Sequence, residues 1–215
     1  MNQTEDIVES RLSFFLERGA HFHGVIHVGS NDGAEIAWYR QAGCKPILCF
    51  EPHPDALARA AARWKGTKDV LFAPVALGEE NGRLEFWVPA DGDDEKTSRY
   101  RPIPTPGHDW TTVPAGHSIS VPVMRFDSWA MTARPGLGCY NTLVVDVQGM
   151  ELEVLRGFGT CLNYLDYLCI ELSAAPVYEG EAPAARVIEY LDGWGFHPLT
   201  EVQEHDDVLF SRKRS

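Results

Sequence analysis

Three shortages in the 215-residue sequence narrow what this chain can be. It has no unbroken apolar run near the roughly 20 residues that span a bilayer, and residues 1–18 are charged, without the apolar centre of a secretion signal. The cysteines are few and odd in number: Cys44, Cys49, Cys139, Cys161 and Cys169, with no C-x-x-C pair. Cys49 and Cys169 sit inside apolar runs, so free thiols in a reducing compartment are expected. Basic residues are scarce against acids, 19 to 31, for a net charge of −12. The one basic run is Arg212-Lys213-Arg214, read as a solvated end. A surface of that sign repels phosphate backbones. The expected setting is the cytoplasm, with neither nucleic acid nor membrane as partner.

The sequence also lacks internal repeats and any linker-like boundary. With 44% hydrophobic and 23% charged residues, the chain reads as one domain over 1–215 with a real core. Helical spacing of Ile7, Val8, Leu12, Phe15 and Leu16 predicts an N-terminal helix over 4–18, within a segment 1–20. Apolar runs at 24–28, 47–50, 70–77, 142–147 and 167–172 predict strands. They alternate with helices expected at 34–42, 54–64, 150–156 and 183–194, and strands at 196–200 and 208–211 close the chain. This rhythm predicts a doubly wound, mostly parallel α/β sheet with right-handed crossovers. It breaks once. Asn81-Gly82 marks a turn, 83–88 reads as an antiparallel return, and 119–124 as its partner, followed by a short helix at 126–131. Between them, 89–118 carries five of the 14 prolines and reads as a long loop. A loop of that length in a compact domain is a lid, a binding loop or disordered. Its Tyr100, His108, Trp110 and His117 could close over a substrate or form part of a homodimer contact, and Thr97 and Ser98 are further candidates for substrate contact.

In open α/β sheets ligands bind beyond the carboxyl ends of the strands. The first such end is His27-Val28-Gly29-Ser30-Asn31-Asp32-Gly33. Its G-x-x-x-G spacing is not the G-x-G-x-x-G of a dinucleotide site. It suits a ligand bearing an amino-acid carboxylate, because glycines admit close backbone approach. The second strand ends in Glu51-Pro52, 22 positions after Gly29. An acid at that distance is placed to accept the hydroxyls of a ribose. Together they point to a nucleoside-containing ligand. Asp146 and Glu171 close two further strands.

Several blocks then fall in one order: VIHVGSNDG (25–33), CFEPHPDAL (49–57), VALGEENG (75–82), RFDSW (125–129), LVVDVQGMELEVLRG (143–157) and IELS (170–173). This set resembles the FkbM-type methyltransferases. The resemblance implies a class I, Rossmann-like methyltransferase fold with a seven-stranded sheet, an inserted hairpin and a long loop. It implies S-adenosylmethionine as cofactor and O-methylation of a hydroxyl on a small molecule such as a sugar or natural-product intermediate. Carried over by position, Gly29, Asn31 and Gly33 would line the methionine part, Glu51 would hold the ribose, Ala76 and Leu77 would sit beside the adenine, and His27, Ser30 and Pro52 would be further cofactor contacts. Asp146 would lie near the sulfonium and the acceptor. Asp146 and Glu171 are the candidate catalytic pair, with Asp146 the leading general base and His53, His108 and His117 weaker ones. No metal-ligand spacing occurs; were Mg²⁺ used, Asp146 and Glu171 would be its ligands.

Two departures from the family pattern stand out. His27 replaces the usual Asp, which would shift the hold on the ligand's ammonium group to Asp32 or Asp146. Gln148 replaces the commoner Glu. Against the methyltransferase reading stand a nicotinamide-dependent oxidoreductase, a second enzyme, and a non-catalytic adenosyl-ligand binder. More local roles also compete. Asp146 could cap the next helix, and Glu151 could serve the helix dipole. Trp38, Trp64 and Trp194 could simply pack, and His21, His197 and His205 could lie at the surface.

Overall fold

The computed structural model describes residues 13–90, 94–104, 115–203 and 206–212. Its strands are β1 (Gly24–Val28), β2 (Ile47–Phe50), β3 (Val70–Ala73), β4 (Ala76–Leu77), β5 (Gly82–Pro89), β6 (Gly116–Met124), β7 (Tyr140–Val145), β8 (Tyr167–Leu172), β9 (Phe196–Pro198) and β10 (Asp206–Arg212). Its helices are α1 (Ile36–Gln41), α2 (Pro54–Arg63), α3 (Phe126–Ala133), α4 (Glu151–Phe158) and α5 (Ala184–Asp192). Most of the N-terminal helix expected over 4–18 lies outside the described residues.

Seven strands form the main sheet in the order β3-β2-β1-β7-β8-β10-β9. All its pairings are parallel except those of β10. The central strands β1, β2 and β7 are buried along their whole length, which is why they read as unbroken apolar runs rather than alternating ones. Successive side chains still leave a strand on opposite faces. Ile26 and Val28 pack with Leu152, Leu155 and Phe158 of α4 and Val187 and Leu191 of α5. Val25 packs with Phe15, Ile36 and Tyr39 on the other face. The sheet is therefore covered on both sides.

The order runs outward from β1 through β2 to β3, and the other way from β7 to β8. The switch point lies between β1 and β7. Gly29 N–H donates to Phe50 O at 2.9 Å and Asp146 N–H to Val28 O at 3.0 Å, tying three strand ends together there.

Beyond shifts of one to three residues at other element ends, four differences from the sequence reading stand out. The strand expected over 70–77 is two strands in two sheets. Pro74 has no N–H for a ladder, the chain bends with Val75 N–H bonding Ala73 O at 2.9 Å, and β4 joins the second sheet, β4-β6-β5. The expected loop 89–118 is shorter, because β6 starts at Gly116 and pairs with β5 as far as Pro89; residues 91–93 and 105–114 lie outside the description. The strand expected over 142–147 is Tyr140–Val145, so Asp146 and Val147 lie beyond it. The helix expected to close at Gly157 runs one residue further, to Phe158. A Cβ on Gly157 would stand 2.1 Å from Gly78 O, so this glycine serves a backbone contact and Gly159 ends the helix.

No helix among the described residues is long and apolar enough to cross a membrane. All five cysteines are free, with Cys44, Cys49 and Cys169 buried and Cys139 exposed. Burial pushes the Cys49 thiol up to about 12, so it behaves as an inert apolar group.

A candidate cofactor and acceptor site at the switch point

One cavity of about 250 Å³ opens where β1, β2 and β7 end, and Gly29, Glu51 and Asp146 all line it. Ser30, Asn31, Pro52, Ala76, Leu77 and Glu171 line it too. Of the residues expected to hold the cofactor, His27 and Gly33 are not on its wall.

The first turn is built by backbone strain. Gly29, Asn31 and Gly33 all have positive φ, 85°, 42° and 69°. Gly29 must be glycine for a second reason: a Cβ there would lie 1.7 Å from Asp146 O. Gly33 instead packs against Ile36 and Trp64, and its carbonyl accepts from Trp64 Nε1 at 2.7 Å. Trp64 thus packs and ties the turn to α2.

Glu51 is buried, and each of its carboxylate oxygens receives a backbone N–H: Asn31 N to Oε2 at 2.9 Å and His53 N to Oε1 at 2.7 Å. Two such bonds fix the plane of the carboxylate on the cavity wall. His53 itself is buried and caps α2, its Nδ1 accepting Ala56 N–H at 3.5 Å, and it does not line the cavity. The general-base reading of His53 is corrected to a helix cap. His117 is an exposed residue of β6 and does not line the cavity either; His108 and Trp110 lie outside the described residues.

His27 is buried against Tyr39. Its Nδ1 lies 3.1 Å from the Tyr39 hydroxyl and 3.2 Å from Glu35 Oε2. It sits on the α1 face of β1, so its expected place on the cofactor is corrected. Glu35, which sequence reasoning missed, does line the cavity. Asp32, one of the residues expected to take over the ammonium, is engaged by Arg63 at 2.8 Å. The signal for Glu35 was its place just before α1, at the mouth of the glycine turn.

Thr97 and Ser98 part company. Thr97 lines the cavity, and its hydroxyl is buried with no hydrogen-bond partner among the described residues. Ser98 is fully buried and donates from Oγ to Gln148 O at 2.5 Å. Tyr100 donates to Glu153 Oε1 at 2.8 Å and packs over Gly180; it anchors the insertion rather than covering the cavity.

Beyond β7 stands a second group. Gln148 Nε2 donates to Asp146 Oδ1 at 2.6 Å and to Glu171 Oε2 at 2.8 Å. The side chain of Asp146 does not cap α4, which has Met150 at its N-cap without a side-chain bond. Glu151 begins that helix, fully buried, with its Oε1 accepting Gly149 N–H at 3.0 Å.

Burial pushes the Glu151 carboxyl up to about 8 from an ordinary 4.5. Between those values the folded chain holds a proton that the unfolded chain has lost, so this residue's contribution to stability falls as pH rises from about 4.5 to 8. Glu151→Gln keeps the acceptor oxygen and removes the ionisation. Thermal melts from pH 5 to 9 should show the variant gaining on the parent as pH rises, most at pH 8 and above. Parallel curves would mean that the carboxyl does not titrate in this range.

Six carboxylates line the cavity (Asp32, Glu35, Glu51, Glu95, Asp146 and Glu171) against the ammonium of Lys96. Val75, Ala76, Leu77 and Phe86 give it an apolar wall. A parallel sheet with this strand order, a glycine turn at the first strand end and a buried acid at the second belong to the class I methyltransferase fold. A known structure with this fold is the magnesium protoporphyrin IX methyltransferase (ChlM) of Synechocystis PCC 6803, with bound SAM. It matches with TM-score 0.54 and 11% identity, over 98% of this chain and 80% of that one.

The chain belongs to the FkbM methyltransferase family, whose domain model matches residues 27–198. The 2-O-methyltransferase NoeI of Sinorhizobium fredii (strain NBRC 101917 / NGR234) is 29% identical over 172 residues, 78% of this chain and 70% of NoeI. The FkbM methyltransferase of Methylobacillus flagellatus KT superposes with TM-score 0.57 and 13% identity over 95% of this chain. The match spans 47% of that longer protein.

Proposed function

We propose that this methyltransferase transfers the methyl group of S-adenosylmethionine to a hydroxyl of a small, uncharged molecule. The observation that carries the reading is Glu51, a buried carboxylate held by two backbone N–H groups on the wall of the switch-point cavity. Ribose hydroxyls are the donors such a group serves. The apolar wall at Val75, Ala76 and Leu77 suits an adenine face, and the acidic lining suits a ligand bearing a sulfonium and an ammonium. Glu35, backed by His27 and Tyr39, stands for the ammonium where the family pattern has Asp at position 27. The named activity of NoeI supports oxygen as the acceptor atom.

Bound S-adenosylmethionine supplies an already activated methyl group, so the protein's share is alignment and removal of the acceptor's proton. Asp146 takes that proton as the acceptor oxygen bonds to carbon. Glu171 lies beside it across Gln148 and holds the acceptor's neighbouring polar groups. The nitrogen of Gln148 bridges the two carboxylates, so a Mg²⁺ there would have to displace it; the reading is a metal-independent one. Dialysis against EDTA should leave turnover unchanged, and recovery only on adding Mg²⁺ would reverse this point. The acidic lining also disfavours phosphorylated or carboxylated acceptors.

Calorimetry with S-adenosylmethionine, S-adenosylhomocysteine and NAD tests the reading directly. The first two should bind and NAD should not; binding of NAD alone would refute it. S-adenosylhomocysteine binding without turnover on any hydroxyl acceptor would favour a non-catalytic binder. In the same titration Glu51→Ala should weaken the cofactor by about 1–3 kcal/mol, the scale for a lost hydrogen bond to a charged group, with Glu35→Gln in the same direction. Parental affinity for Glu51→Ala would put the ribose elsewhere.

A further inference from the structure

The residue between the two carboxylates is the least explained part of the cavity. Gln148 has φ of 56° and Gly149 of 101°, and this left-handed pair folds the chain back over the end of β7. The fold is locked from outside the motif, because Ser98 of the insertion donates to Gln148 O. The side chain is locked as well. Tyr178 donates its hydroxyl to Gln148 Oε1, and Gln148 Nε2 donates to Asp146 Oδ1 at 2.6 Å and Glu171 Oε2 at 2.8 Å.

Chemistry fixes which way round the amide sits. Turned over, it would present its oxygen to two carboxylates, whereas its nitrogen has two hydrogens for them. Tyr178 is buried and hemmed in by Glu171, Asp146, Glu151 and Glu181, and burial with these acids holds its hydroxyl protonated. It can therefore serve as the donor that the amide oxygen requires. One uncharged side chain thus supplies an N–H group to each of two adjoining acids.

We propose that Gln148 is a positioning residue that clamps Asp146 and Glu171 into a fixed pair facing the acceptor hydroxyl. Tyr178 and Ser98 hold the clamp, so the insertion between β5 and β6 takes part in setting the reacting geometry from behind. This rests on the reading of Asp146 as the group that takes the acceptor's proton. The side chain of Gln148 bonds Asp146, Glu171 and Tyr178, and none of these bonds reaches Glu51 or the glycine turn. Loss of the clamp should therefore appear in turnover and not in cofactor affinity.

Three variants decide it: Gln148→Met, Asp146→Asn and the double variant, each measured for turnover, for KM of both substrates and for S-adenosylhomocysteine affinity by calorimetry. Methionine matches the length and lacks both N–H groups. Gln148→Met should lose at least tenfold in kcat, with S-adenosylhomocysteine affinity and cofactor KM within threefold of the parent. The double variant should be no slower than Asp146→Asn by more than threefold, because residues acting as a unit are not additive. If Gln148→Met fails to bind S-adenosylhomocysteine, Tyr178→Phe, which frees the amide, carries the same expectation of reduced kcat at unchanged cofactor KM. Parental turnover in Gln148→Met, or in Tyr178→Phe where that variant stands in, or additive losses in the double variant, would overturn the clamp while leaving Asp146 in its role. Parental turnover in Asp146→Asn would overturn both.

Discussion

Asp146→Asn should lower kcat by about 10² to 10⁴-fold, the usual scale for a general base, while melting temperature and S-adenosylhomocysteine affinity stay near the parent's. The fold is expected to survive because Asp146 enters it through its backbone. Its N–H donates to Val28 O at 3.0 Å, and asparagine keeps that bond. Asparagine also keeps an oxygen for the Gln148 amide, which Asp146 Oδ1 now accepts at 2.6 Å. What disappears is the second carboxylate oxygen and the capacity to hold a proton. Single-turnover rates with preloaded cofactor would separate chemistry from binding. A rate within threefold of the parent would remove Asp146 as the base.

Gly29→Ala should cost the protein about 3 kcal/mol of stability or more, a loss on the scale reserved for backbone strain and overpacking. At φ of 85° an L side chain is strained wherever it sits, and here its Cβ would fall 1.7 Å from the Asp146 carbonyl oxygen. Neither atom is the end of a flexible side chain. The ends of β1 and β7 would have to part, and with them the bonds from Gly29 to Phe50 and from Asp146 to Val28. The cofactor cavity should open with them, so S-adenosylmethionine should no longer raise the melting temperature. Gly138→Ala is the matched control: its Cβ meets nothing within 4 Å, and its effect should be within about 0.5 kcal/mol, as for ordinary surface changes. Equal melting temperatures for the two variants would show that the strand ends can separate freely.

The two variants probe different kinds of information. Gly29 announced itself in the sequence, because a glycine turn after an apolar run at the start of an α/β alternation has few other uses. Glu51 did so too, through its distance from Gly29. Gln148 was visible only as a departure from a motif; its partners, Ser98, Glu171 and Tyr178, lie 50, 23 and 30 positions away. His27 was misplaced because its side chain leaves β1 on the face opposite Ile26 and Val28, toward Tyr39. Glu35, eight residues further on, occupies the wall instead. The split of 70–77 falls at Pro74, and a single proline in an apolar run marks a strand end as readily as an edge strand.

By itself the sequence determined the alternation of buried strands and helices, the glycine turn, the acid closing β2 and the family they belong to, because these depend on residues near one another along the chain. The tertiary structure alone decided which carboxylates share a wall, which histidines turn inward to cap or pack, and that one glutamine amide joins two strand ends. Those outcomes depend on side-chain direction and on neighbours brought together across the sheet, and no local pattern encodes either.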